Sequence, residues 1–198
     1  LLALRQAIGA KKAARVAATG AIRSMDYGAA VNGLSDSELE KVRAVGLAGM
    51  APAARGRSKT AILALQGDPA WEAAVAPILQ WVRMGWKAKH DAGCKISLEE
   101  MEQAWSEARG DLEDLISHAG KRRWQRVRGP VGATYLALER IGWRTNDGRV
   151  LLDDKGIARK VEDFSTALWS KILKEAVQRM HEGNLGLKTG HHEVRDRR

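Results

Sequence analysis

Between Asp68 and Trp86 apolar side chains recur at the spacing of one helix face: Trp71, Val75, Ile78, Leu79, Val82 and Trp86. A helix that is apolar along one stripe must bury that stripe, so the segment demands other elements to pack against. Asp68 stands where an N-cap side chain accepts orphan amide hydrogens, and Pro69 suits a first turn. Pro77 has no amide to donate inside a helix, so it should kink or divide this one.

The partners are written in the same pattern. Ser35-Asp36-Ser37-Glu38 and Ser97-Leu98-Glu99-Glu100 are capping boxes, in which hydroxyl and carboxylate satisfy each other's terminal amides. The first opens a helix carrying Leu39, Val42, Val45 and Leu47 to about Gly49. The second opens one carrying Leu98, Met101 and Trp105, with Gly110 as a break before Leu112, Leu115 and Ile116. Gly129-Pro130 starts another, with Val131, Thr134, Leu138 and Ile141 buried and Gly142 as its end. An Ala-rich helix over 1–18, a short one over 60–66 and a last one from about Ser165 to His181 complete the set.

Only one region reads as strand. From Trp143 to Val161, Asn146-Asp147-Gly148 and Asp153-Asp154-Lys155-Gly156 are turn signals around Arg149-Val150-Leu151-Leu152 and Ile157-Ala158-Arg159-Lys160-Val161. The expectation is therefore a mainly α fold with one small β-hairpin near residues 143–161, of two or three short strands. Residues 1–120 would form a helical region and 121–182 a helix, hairpin and helix unit. The Gly-rich, charged stretch 183–198 would be a disordered tail.

Charge narrows the use of such a fold. Lys and Arg number 33 against 24 Asp and Glu, a net +9. The surplus is uneven: residues 1–60 hold ten basic and four acidic side chains, 61–120 five and ten, and 121–198 eighteen and ten. An acidic middle between basic ends suits contact with a polyanion, and phosphates are the usual partners of a clustered positive field. The alternative is plain solubility. Cys94 is the single cysteine, which excludes an internal disulfide and fits a reducing, intracellular setting, nuclear or cytoplasmic. With no run of eighteen apolar residues and no signal-peptide pattern, neither membrane spanning nor secretion is expected. Leu1 in place of Met points to a segment of something longer.

Two clusters could meet phosphate. Lys121-Arg122-Arg123-Trp124-Gln125-Arg126-Val127-Arg128 holds five basic residues in eight, with a tryptophan that could stack on an unpaired base. A solvated helix face, with Trp124 turned into the core, is the alternative, and for Trp124 itself it is the preferred one. Arg55-Gly56-Arg57-Ser58-Lys59-Thr60 is a second basic stretch in a loop. It ends in Ser-Lys-Thr but lacks the glycine spacing of a P-loop, so it gives no support to ATP binding. The candidate nucleic-acid-binding residues are Arg55, Arg57, Lys59, Lys121, Arg122, Arg123, Arg126 and Arg128.

Catalytic constellations are not legible. Asp153-Asp154 between two short strands has the look of a two-metal polymerase turn, but that reading needs another carboxylate on a neighbouring strand, few strands surround it, and Asp-Asp-Lys-Gly is simply a good hairpin turn. His90, His118 and His181 stand alone, and His191-His192-Glu193 lies in the expected tail without helical or finger-like spacing. The expectation is no enzyme active site, no metal and no cofactor.

Tyr27-Gly28-Ala29-Ala30-Val31-Asn32-Gly33-Leu34-Ser35-Asp36 resembles the stretch that follows the polymerase palm in non-LTR (LINE-like) retrotransposon polyproteins, where Tyr-Gly-x-x-Val-x-Gly is common. Gly67-Asp68-Pro69-Ala70-Trp71 with the Ile78 to Trp86 helix is similar to the downstream part of such proteins. So is Gly129-Pro130-Val131-Gly132-Ala133-Thr134 ending in Ile141-Gly142-Trp143. The resemblance implies a thumb and connector role beside the reverse-transcriptase domain of the same polyprotein, gripping RNA or an RNA–DNA template–primer duplex. It carries no catalytic residue onto this chain. A helical protein–protein scaffold, anchored by some of the seven tryptophans, is the reading from another class.

Overall fold

The computed structural model describes residues 28–50, 58–118 and 121–195, without the side chains of 48–50, 121 and 187–195. The helix expected over 1–18, most of the loop before Lys59 and the side chains of His191-His192-Glu193 fall outside that description. Among the described residues the chain is mainly helical, with ten helices and a small three-stranded antiparallel sheet. The helices are α1 (Ala29–Asn32), α2 (Asp36–Met50), α3 (Lys59–Gln66), α4 (Trp71–Ala74), α5 (Ala76–His90), α6 (Leu98–Glu107), α7 (Arg109–Ser117), α8 (Lys121–Gln125), α9 (Gly129–Arg140) and α10 (Thr166–Arg195). Between α9 and α10 run β1 (Arg144–Thr145), β2 (Val150–Leu152) and β3 (Ala158–Lys160).

Both capping boxes form. Ser97 accepts the Glu100 amide at 3.1 Å while its own amide donates to Glu100 Oε2 at 2.7 Å. The Ser35 amide donates to Glu38 Oε2 at 2.8 Å, and the Glu38 amide reaches back to Ser35 Oγ at 3.4 Å. Pro77 divides the Trp71–Trp86 stripe as its chemistry requires. α4 ends at Ala74, and α5 restarts with Pro77 in its first turn. The break leaves Val75, Ile78, Leu79 and Val82 buried along one line.

α5 is the centre of the molecule, with α1, α6, α9 and α10 packed around it. The main core gathers its stripe with Leu98, Met101 and Trp105 of α6, Leu112 and Leu115 of α7, Leu136 and Leu138 of α9, and Trp169 and Leu173 of α10. Residues on both sides of position 120 share this core. α9 is buried nearly all round, since Ala133, Leu136 and Ala137 join the expected Val131, Thr134, Leu138 and Ile141.

The sheet runs in the order β1-β2-β3, with Arg144 opposite Leu152 and Val150 opposite Lys160. Leu151 faces inward and is fully buried. The Gly148 carbonyl at the first turn accepts the Trp81 indole N–H at 2.6 Å, which fastens the hairpin to α5. Where a loose tail is expected from Gly183, the helix instead continues to Arg195, so α10 is 30 residues long.

Candidate nucleic-acid interface

Of the eight candidate residues, Arg55 and Arg57 lie outside the described residues. Lys59 opens α3 behind Ser58, whose hydroxyl caps the helix by accepting the Ala61 amide at 3.3 Å. Its Nζ is exposed and 3.8 Å from Glu40. Lys121 begins α8, and its side chain is not described.

The other arginines divide into structural and surface groups. Arg123 is drawn inward. Its Nε donates to the Leu115 carbonyl at 2.9 Å and its Nη1 to Glu139 Oε1 at 2.8 Å, with Nη2 on the second carboxylate oxygen. This fork ties α7 to α9, and the Glu139 carboxylate holds the guanidinium pKa above its ordinary value. Arg122 points to solvent with no hydrogen bond or ion pair among the described residues. Arg126 reaches Asp114 at 3.1 Å and Arg128 reaches Asp111 at 3.5 Å, and the Arg128 side chain remains 79% exposed. Exposed pairs of this kind are each worth about 0–1 kcal/mol, because water competes for both charges.

Trp124 is half-buried and packs against the main core. The Arg140 guanidinium lies over its ring at 4.5 Å. Arg140 in turn donates to the Leu34 carbonyl at 2.6 Å, the Ala74 carbonyl at 3.0 Å and Asp36 at 3.1 Å, so it joins α9 to the start of α2. Trp124 is therefore part of the scaffold and not a free stacking surface. Asp36 and Arg140 stand in the walls of two adjoining hollows, one beside Thr60 and the other beside Arg123 and Trp124. The Lys59 end of α3 and the Arg123 segment thus border neighbouring parts of the surface.

The paired aspartates of the hairpin are fully engaged. Asp153 Oδ1 accepts the Lys155 and Ile157 amides at 2.9 and 2.8 Å, and Oδ2 accepts Arg159 at 3.0 Å. Asp154 accepts Arg179 of α10 at 2.6 and 2.7 Å and the Trp143 indole at 3.0 Å. These are the bonds of a turn and its anchors, and among the described residues no group of three or more His, Cys, Asp or Glu could hold a metal ion.

Arg179, opposed by partial burial and aided by Trp143, holds the Asp154 carboxyl down to about 2. A folded value below the ordinary one, about 3.9, stabilises the fold above that ordinary value, and the contribution is lost as pH falls through the folded value. Asp154→Asn should therefore flatten the acid limb of the stability profile between about pH 4 and pH 2. Acid titrations of parent and variant that superimpose would show that the pair contributes nothing.

One set of cations lies outside both of the basic clusters legible in the sequence. Arg83, Lys87 and Lys89 are exposed on α5 and have no ion pair among the described residues. Comparison of the chain with family models, with curated proteins and with solved structures finds no match.

Proposed function

We propose that this chain is a non-catalytic, nucleic-acid-contacting segment that works beside the polymerase domain of a retroelement-type reverse-transcriptase polyprotein. The observation that carries the contact is the surface after α7, where Arg122 is unpaired and Arg126 and Arg128 meet only exposed carboxylates. A phosphate can displace such carboxylates at little cost, since it offers the same charge-assisted bonds and releases condensed counterions as it binds. Arg123 acts differently, because it ties α7 to α9 and leaves its neighbours facing outward. The polyprotein setting rests on the family resemblance, and an in-frame reverse-transcriptase core upstream in the coding sequence would support it.

Contacts of this kind position a duplex without reading sequence. Binding of an RNA hairpin and of an RNA–DNA duplex should therefore weaken steeply with salt and depend little on base composition. Replacing Arg122, Arg126 and Arg128 together by glutamine should flatten the salt slope by roughly 0.7–0.9 per lost contact. A variant that binds like the parent across the salt series would remove these side chains from the interface. The helical protein–protein scaffold is favoured by one observation, the exposure of Leu65 and Ile116 at 80% and 56%. It becomes the reading if the parent binds no nucleic acid even at low salt.

A further inference from the structure

Six of the seven tryptophans serve the core. Trp81, Trp105, Trp143 and Trp169 are buried in it, and Trp71 and Trp124 pack against it half-buried. Trp86 does neither. It is half-exposed on α5 and belongs to none of the hydrophobic clusters. Its ring rests instead on His90, one turn further along, with centroids 3.8 Å apart and planes tilted by 33°. His90 is fixed from the other side, because its Nε2–H donates to the Glu162 carbonyl at 3.1 Å. The helix beneath is fixed as well. Gly85 packs so closely on Val161 that a Cβ there would lie 2.4 Å from Val161 Cγ2.

The surroundings of Trp86 are cationic. Arg83 lies one turn before it and Lys89 one turn after, on the neighbouring i−3 and i+3 positions, and Lys87 lies between Arg83 and His90 along the helix. Asp91, five residues on from Trp86, and Glu162, whose carbonyl holds His90, have carboxylates engaged elsewhere. Asp91 accepts the Gly93 amide, and the Glu162 carboxylate is buried against Arg149. Glu72 shares a hollow with Arg83 without an ion pair. An aromatic face held rigid among unpaired cations suits the π-face of an unpaired base, with its phosphates on the flanking charges. A protein partner would ask for apolar neighbours around such a tryptophan, and its helical neighbours toward solvent are Arg83, Lys87, Lys89 and His90.

We infer that Trp86, stacked on His90 and flanked by Arg83, Lys87 and Lys89, is a platform for single-stranded nucleic acid, distinct from the duplex-positioning arginines after α7. The inference rests on the nucleic-acid reading and adds the form of ligand. A single strand can unstack and offer every base face, whereas a duplex covers them with stacked neighbours everywhere except at its two ends.

The test is a titration of the full chain with a labelled oligouridine and with a blunt RNA–DNA duplex, by fluorescence anisotropy. Trp86→Ala should weaken single-strand binding about tenfold or more, and Trp86→Phe should restore most of it. Neither should change duplex affinity. The exposed-surface variant Arg83→Gln/Lys87→Gln/Lys89→Gln should lower the single-strand salt slope by about 0.7 per contact, whatever Trp86→Ala does to folding. If these variants bind oligouridine like the parent while the Arg122/Arg126/Arg128 variant loses duplex binding, the platform is overturned and the broader reading stands. If the parent binds neither nucleic acid at low salt, both fall.

Discussion

Asp68→Ala should destabilise the fold by about 3–5 kcal/mol, the loss typical of removing one partner from a buried charge cluster. Asp68 Oδ2 accepts Arg43 Nε at 2.9 Å, Arg43 Nη2 at 2.8 Å and His181 Nε2 at 2.9 Å. Its Oδ1 accepts the Ala70 amide at 2.9 Å. The Asp68 side chain is 0% exposed, Arg43 10% and His181 6%, so the loss of the carboxylate leaves Arg43 with the Glu40 carboxylate at 3.1 Å and little water around either cation. Burial alone would raise the carboxyl pKa, but the bonds from His181 and Arg43 outweigh it and hold the pKa below its ordinary value. With the pKa depressed in the folded state, the cluster stabilises above about pH 4 and weakens as pH falls. Asp68→Asn keeps the shape and the Ala70 bond but not the charge, and it should fall between parent and alanine variant in denaturant unfolding. A loss within about 0.5 kcal/mol for Asp68→Ala, the range of an ordinary surface change, would sink the idea.

That cluster also marks how far the sequence could be read. Asp68 invites reading as a helix N-cap because Pro69 follows it, but the N-cap of α4 is Ala70, and Asp68 Oδ1 accepts the Ala70 amide in the turn before the helix. Its main partners lie 25 and 113 residues away, on α2 and α10, and no local pattern can pair them. Features decided within one turn were legible for a physical reason: the capping boxes, the division at Pro77, the start at Gly129-Pro130 and the hairpin turns depend on adjacent residues. The long reach of α10 was not, because Gly183 and Gly186 signal a break that the helix passes through. The candidate interface shows the same limit. Five cations in eight residues look like one patch, but whether an arginine faces solvent or a carboxylate on another helix is settled by packing. Arg123 is committed to Glu139. Trp86 fits the apolar stripe by spacing, but it is half-exposed and outside the core clusters, and it is Gly85 beside it that packs on the buried Val161.

Gly148→Ala is the second large effect, and it isolates the hold of the hairpin on the core. Gly148 has φ +73°, a left-handed conformation that costs an L-residue about 1–2 kcal/mol. A Cβ there would also lie 2.6 Å from Trp105 Cε3 and 2.7 Å from its Cδ2. Trp105 cannot retreat easily: it is 4% exposed and meets Trp81 edge-on at 5.5 Å, and Trp81 is the side chain that donates to the Gly148 carbonyl. Overpacking of this kind adds about 1–3 kcal/mol, for a total loss of roughly 2–5 kcal/mol. Gly156 supplies the control. Its φ is +79° but nothing lies within 4 Å of the position its Cβ would take, so Gly156→Ala should show the backbone strain alone. Unfolding both variants under one set of conditions separates the two contributions. Equal losses would mean that Trp105 yields without cost, and the hairpin would then be held by its own turns rather than by the α5–α6 core.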